Sequence, residues 1–433
     1  MTGKVLFQEK LFAFLDLLGI ICSTPSVFFL LQPSFLHTAM PIKKWTLFDV
    51  DNNTYVEQLE ISELIQCVCP KTGEKHAVNY RIRKKRLYGG RQDGVDVIEI
   101  DNGTIRFTVC PTRGMGVLHA AKGNLPLKWD APARGPIHPK FVPLTDSSGL
   151  GWLDGFNEWV VRCGLESNGS PEFDENGSLK YPLHGRIANT PANKVELSID
   201  TETGQITLEG VMEESRMFFR RLELKTVYTT TAGASDFSLT DTITNLSSDP
   251  NEFEFLYHIN TGMPLVSPGA KISVPYKVLA PRNADAAAEL DHWNVCDPES
   301  PGSNEVVYFF DPAGDADGNC TTMLTSTSQA EAFALHFNTK QLPNFCIWKS
   351  RLANGDGYVI GMEPCVNFPN TRSFEKSQGR VAPLKAKESR SFDLRFEILT
   401  DKDEIGEVQT KIDSLLKSGG GKIEPQPRQA WGG

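Results

Sequence analysis

The chain has 433 residues, 40% hydrophobic and 23% charged, with a formal net charge of −10. That is enough for one large β domain or two or three ordinary domains. The negative balance argues against a broad electrostatic grip on nucleic acid or anionic lipid. The one dense basic run, "RIRKKR" at residues 81–86, fits a solvated strand face or loop. Nine cysteines are scattered along the chain, an odd number with no zinc-like His/Cys spacing. They are expected to be reduced, mostly buried thiols, with neither metal nor other cofactor.

In chain order, residues 11–36 are strongly apolar but interrupted by Asp16 and Pro25. Three readings stay open: a bilayer span, a signal peptide, or a segment ahead of a true start at Met40. With a start at Met40 the expected location is the cytoplasm; if residues 1–39 are translated and kept, secretion or anchoring follows. The expected domain layout is an extension over 1–39, a β domain over 40–418 and a disordered tail over 419–433. No membrane partner is expected for the folded domain, and the oligomeric state is not legible.

"VEQLEISELIQ" at residues 56–66 carries a weak helical pattern. "DVIEIDNGTIRFTVCP" then alternates apolar and polar residues on both sides of Asn102-Gly103, a strong hairpin signal. "KVELSIDTETGQITLEGVM" repeats the design, and at least seven further short strands follow. A helical stripe returns only near the C-terminus, where Ile405, Val408, Ile412 and Leu415 share a face. Many short strands and few helices predict an all-β fold, a large antiparallel sandwich.

One segment breaks the strand rhythm. Residues 149–169, "GLGWLDGFNEWVVRCGLESNG", bring large amphipathic side chains together between glycines. Trp and Phe faces suit the C–H face of a sugar, while Asp154, Asn157, Glu158 and Arg162 suit its hydroxyls. The bland reading is a plug that closes one end of the sandwich with Trp152 and Trp159.

His258 lies in the strand "EFEFLYHINTG". Alternation puts Phe253, Phe255, Tyr257 and Ile259 on one face, and Leu256, His258 and Asn260 on the other. In "YVIGMEP", Tyr358, Ile360 and Met362 share one face and Val359, Gly361 and Glu363 the other. Glu363 is thus a carboxylate at a strand end beside a glycine gap. Its bland reading is a buried partner for Arg372 or Arg380; its functional reading is a general base tuned by burial.

These residues carry a resemblance to the galactose mutarotase (aldose 1-epimerase) superfamily, and more closely to an uncharacterised aldose-1-epimerase-like branch. "LYGGRQDGVDVIEIDNG", "TVCPTRGMGV", the 149–169 segment, "PLHGRIANTPA", "FEFLYHINTG", "KQLPNFCIWK" and "GMEPCVNFPN" carry it, across about residues 45–398. The resemblance implies a β-supersandwich, with His258 as general acid, Glu363 as general base and His184 of "PLHGRI" orienting the substrate. The expected partner is a small sugar. Arg113 of "PTRGMG" joins Asp154, Asn157, Glu158 and Arg162 as an expected sugar-binding group. The family's usual substrate-binding aspartate has two candidates, Asp291 of "LDHW" and Asp154. The 149–169 segment is not an ordinary galactose mutarotase feature, so the sugar is expected to differ from galactose.

Such chemistry needs a base to take the anomeric hydroxyl proton and an acid to protonate the ring oxygen, without metal or nucleotide. Two other classes remain open. One is a sugar-binding sandwich without turnover. The other is a lyase or hydrolase, for which Glu158 and Glu363 are the available carboxylate pair.

Overall fold

A computed structural model describes residues 41–68, 73 and 75–432. The expectations for residues 1–39, and for Cys22 and Cys69, lie outside the described residues.

Four consecutive strands, Lys194–Asp200, Gln205–Arg216, Arg220–Thr231 and Asp236–Asn245, alternate buried and partly exposed residues almost without a break. One face of each is apolar and the other polar, so they form a sheet with one wet side. They lie in a ten-stranded sheet, antiparallel throughout, with Ser389–Leu399 beside Asp236–Asn245. A second sheet of fourteen strands faces it. The two apolar faces meet in the main core, where Phe107 stacks on Phe237 at 4.2 Å and Trp159 meets Phe333 edge-on at 5.2 Å.

The middle of the larger sheet has a different pattern. Val160–Leu165, Asn251–Thr261 and Val359–Cys365 are buried nearly end to end. One face of these strands packs on the ten-stranded sheet. The other is covered by loops and a second apolar cluster containing Trp129, Trp152, Phe156, Val161, Leu256, Val359 and Phe368. This covered outer face is where any buried polar group must be explained.

The hairpin at Asn102-Gly103 forms between Asp96–Asp101 and Ile105–Cys110, and the C-terminal stripe becomes the helix Lys402–Gly419. Two expectations are corrected. The weak helical stretch is the strand Leu59–Val68, in which Ile61 and Ile65 are buried while Glu60, Ser62, Leu64 and Gln66 are exposed. A period of two outweighs helix propensity once a neighbouring strand is available. The expected disordered tail is also ordered through residue 432. Lys422–Ile423 pairs in parallel with Tyr276–Pro281, and Trp431 packs on Phe368 with 5.3 Å between ring centres. The half-buried Trp431, the short strand pairing and the hydrogen bonds from Asn370 and Arg380 to the Trp431 and Ala430 carbonyls together offset the ordering cost of the Gly/Pro-rich segment.

All six cysteines with described side chains, Cys110, Cys163, Cys296, Cys320, Cys346 and Cys365, are buried and form no disulfide. No helix among the described residues is long and apolar enough to cross a membrane.

Candidate active site

Three neighbouring strands set the site. His258 lies across from Val161 on one side, while Asn260 lies across from Gly361 on the other. Gly361 and Glu363 pair in turn with Trp348 and Cys346 of Asn344–Ser350. Alternation then brings His258, Asn260, Gly361 and Glu363 to the covered outer face. Tyr257, Ile259, Ile360 and Met362 enter the main core on the opposite side.

His258 Nε2 lies 3.1 Å from Glu363 Oε1, and the two residues are only 5% and 3% exposed. Oε1 has no hydrogen-bond partner. Gly361 makes the approach possible: a Cβ there would stand 2.6 Å from Glu363 Oε1 and 3.2 Å from His258 Cε1. The glycine gap read from the sequence is therefore the space that the pair occupies.

Asn260 fixes the imidazole. Its Nδ2 donates to the carbonyls of Glu158 at 3.0 Å and His258 at 3.2 Å, which turns Oδ1 toward His258 Nδ1 at 2.5 Å. An amide oxygen only accepts, so Nδ1 carries the hydrogen and Nε2 faces the carboxyl. Burial, with the charge of His184, pulls the His258 pKa down to about 3. Burial, with the repulsion of Glu305, pushes Glu363 up to about 8 against the opposing pull of Arg282. At neutral pH a protonated carboxyl therefore stands 3.1 Å from a neutral imidazole, and the pair as a whole carries one exchangeable proton between Glu363 and His258 Nε2.

His184 closes the third side, its ring 5.5 Å from that of His258. It sits in the left-handed region at φ 56°, which a non-glycine residue occupies at a cost of about 1–2 kcal/mol. Its Nδ1 lies 2.8 Å from the Asn168 carbonyl, so it donates there. Burial lowers its pKa to about 4. Nε2 of this neutral ring is then an acceptor.

An aromatic cover lies over the trio. Phe156 meets His258 edge-on at 5.2 Å and touches Trp129 and Trp152, each at 4.7 Å. Trp348 flanks His258 at 5.3 Å and donates its Nε1 to Glu305 at 2.7 Å. Trp348, His184 and Arg282 are half-buried and Glu305 is exposed, so this edge is where the site meets solvent. The aromatic segment points to Trp152 and Phe156 from the sequence, whereas Trp348, Arg282 and Glu305 are not singled out by it. Only the cross-strand pairing of Trp348 with Gly361 marks the first of the strand residues.

The remaining expected sugar-binding residues separate. Arg162 faces the other way: its Nε lies 2.6 Å from Asp241 of the ten-stranded sheet, and its Nη2 is 3.1 Å from the Tyr228 hydroxyl. The register pairs it with Tyr257, so it enters the main core rather than the site. Trp159, expected in a wall or plug, is also a core residue between the sheets. Glu158 is buried and bound to Arg113, with Nε to Oε1 at 2.5 Å. Arg113 Nη1 also donates to Asn189 at 2.7 Å and to the Ile137 carbonyl at 3.1 Å. This pair secures the loop under Phe156, and it withdraws Glu158 from the two-carboxylate arrangement that hydrolysis required. Asn157 donates to the Gly135 carbonyl and lines a neighbouring cavity. Asp154 and Asp291 are exposed, without a hydrogen bond or ion pair to the trio.

The family described as Domain of unknown function (DUF4432) matches residues 92–398. A crystal structure from Klebsiella pneumoniae subsp. pneumoniae MGH 78578, of a protein with a provisional aldose 1-epimerase ascription, is 29% identical with a TM-score of 0.83. The match covers 90% of this chain and 100% of that one. A galactose mutarotase-like protein from Clostridium acetobutylicum is similar in fold at 15% identity and TM-score 0.50, covering 74% of this chain and 98% of that one. No curated protein matches the chain. The architecture is thus an all-β, galactose mutarotase-like sandwich.

Proposed function

The chain belongs to the DUF4432 family, and from that premise we propose that it is an aldose 1-epimerase, an isomerase that interconverts sugar anomers by general acid–base catalysis. The observation that carries this reading is the 3.1 Å contact between His258 Nε2 and an otherwise unpartnered Glu363 Oε1. That buried pair holds one exchangeable proton.

One proton on the pair is the number the reaction requires. When a sugar parts the contact, its hydroxyls relieve the desolvation that set both pKa values, and the proton passes to His258, leaving Glu363 ionised. Glu363 takes the proton from the anomeric hydroxyl while His258 Nε2 protonates the ring oxygen, and the C1–O5 bond breaks to give the open-chain aldehyde. Rotation of the carbonyl and reversal of both transfers close the other anomer, and the pair regains its starting state. Asn260 holds the imidazole throughout, and its Oδ1 stabilises the imidazolium at Nδ1. His184 Nε2 accepts a hydrogen bond from a ring hydroxyl and thereby orients the sugar. The faces of Phe156 and Trp348 pack against its C–H groups.

The test is polarimetry or exchange NMR on freshly dissolved single anomers of hexoses, 6-deoxyhexoses and pentoses, against the uncatalysed baseline. The parent protein is expected to exceed that baseline on at least one sugar. His258→Asn is expected to slow interconversion at least about a hundredfold, the low end for general acid–base catalysis. Affinity should change far less, because the loss falls on the transition state. A parent that binds sugar but never exceeds the baseline would establish a binding protein without turnover.

A further inference from the structure

A second polar region lies on the same outer face, beyond the aromatic cover. It is a cavity of about 610 Å³ between the sheet and the segment 128–136. Its floor is a row of cross-strand neighbours: Arg83 pairs with Glu99, Glu99 with Thr108, and Thr108 with His119. Leu87, Val97 and Leu118 make the apolar part of the floor, and Trp129 stands in the wall. The His119 strand is two strands from that of His258 and the Arg83 strand five, so the cavity begins about 10 Å from the proposed catalytic pair and extends to about 24 Å. A ring held at His258 does not fill it.

The charges in the lining do not cancel. Arg83 is neutralised by Glu99 at 2.5 Å, and Lys128 by Asp130 at 3.1 Å. Those are the two acids of the lining, and both are already engaged. Lys85 and Arg134 also line the cavity, and among the described residues neither has an acidic partner or a side-chain hydrogen bond. In a chain of net charge −10, two uncompensated cations facing one concave space make a local positive field that concentrates anions. The volume falls within the range of small-molecule sites, which combine apolar walls with a few convergent polar groups.

We propose that this cavity is a second ligand site, separate from the His258–Glu363 pair, and that it binds an organic anion, a sugar acid or sugar phosphate. Lys85 and Arg134 receive the carboxylate or phosphate, and Trp129 with the Leu87, Val97 and Leu118 floor receives the body. The backbone of Lys85 is held in the sheet opposite Val97. Asn157, whose Nδ2 donates to the Ala133 and Gly135 carbonyls that flank Arg134, steadies the opposite wall.

Calorimetric titration of the full chain tests this with four probes: glucose, glucuronate, glucose 6-phosphate and inorganic phosphate. Glucuronate or glucose 6-phosphate is expected to bind, and the Lys85→Ala/Arg134→Ala double variant to weaken that binding at least about tenfold through loss of two charge-assisted contacts. Both positions are exposed, so the variant is expected to fold as the parent does. Raising salt from about 0.05 M to about 0.5 M should weaken parent binding and hardly affect the variant. The comparison of the two organic anions tells carboxylate from phosphate recognition. The proposal is overturned if neither organic anion binds by about 10 mM, a dissociation constant too weak to mark a site. It is overturned equally if the double variant binds them within about twofold of the parent, because the anion then sits elsewhere. Inorganic phosphate binding as tightly as glucose 6-phosphate would remove the organic body from the claim. Because the readout is binding, these outcomes do not depend on whether the chain epimerises sugars.

Discussion

Replacing Glu363 with Gln should make the protein more stable and catalytically inert. Gln keeps the size of the side chain, and its amide can still donate to His258 Nε2. It cannot take up a proton at neutral pH. Burial raises the carboxyl from an ordinary 4.5 to about 8. In that window the folded state holds a proton that the unfolded state has released, so the parent's stability falls as pH rises. At about 1.4 kcal/mol per pH unit, the loss is about 2 kcal/mol by pH 6 and about 5 kcal/mol at most by pH 8. Gln does not titrate and escapes it. Guanidinium unfolding of parent and variant between pH 5 and 8.5 measures the difference by linear extrapolation. The variant should gain at least about 2 kcal/mol over the parent at pH 8 relative to pH 5, while interconversion falls at least about a hundredfold. If the variant is instead less stable at pH 8, the carboxylate is ionised and stabilised by a partner, and the one-proton pair is refuted. Full activity in the variant would discard Glu363 as the base.

The pH dependence of turnover follows from the same proton count. Above about 8 Glu363 loses the shared proton and the pair has no acid, so kcat/KM should fall about tenfold per pH unit, read by polarimetry in matched buffers. Gly361→Ala would place a Cβ 2.6 Å from Glu363 Oε1; the crowding should cost about 1–3 kcal/mol in denaturant unfolding and suppress turnover with it. Arg162→Ala leaves Asp241 charged and unpaired between the sheets, and should cost about 3–5 kcal/mol of stability with no specific effect on sugar affinity in whatever protein remains folded. Asp154→Ala, at an exposed site, should leave stability within about 0.5 kcal/mol and anomer interconversion unchanged.

The misplaced sugar-binding residues share a physical origin. Asp154, Asn157, Glu158 and Arg162 form a group in the sequence only because they are close together within one aromatic, polar segment. In the structure that segment is a short turn over Gly151–Gly155 followed by the strand Val160–Leu165. Within a strand, a shift of one residue reverses the face. Val161 therefore lies beside His258 while Arg162 points between the sheets, and nothing in the segment itself shows where the alternation begins. Glu158 departs from the expectation for a different reason. Its partner, Arg113, lies 45 positions earlier, and their ion pair exists only because the chain returns to that point.

What the sequence determined by itself was the class of fold and the facing of the key strands. Period-two alternation is a local property, and it placed His258, Asn260 and Glu363 opposite the apolar faces of their own strands. It also located the glycine gap at Gly361. Only the tertiary structure decided that the strands of His258 and Glu363 are neighbours, since their side chains are more than a hundred positions apart in the chain and meet through sheet order alone. That pairing, with the cover supplied by Phe156 and Trp348, removes water from the two groups. Desolvation then moves their pKa values until a carboxyl and an imidazole share one proton. Such a shift depends on the whole surroundings of a side chain, and so it has no counterpart in any stretch of sequence.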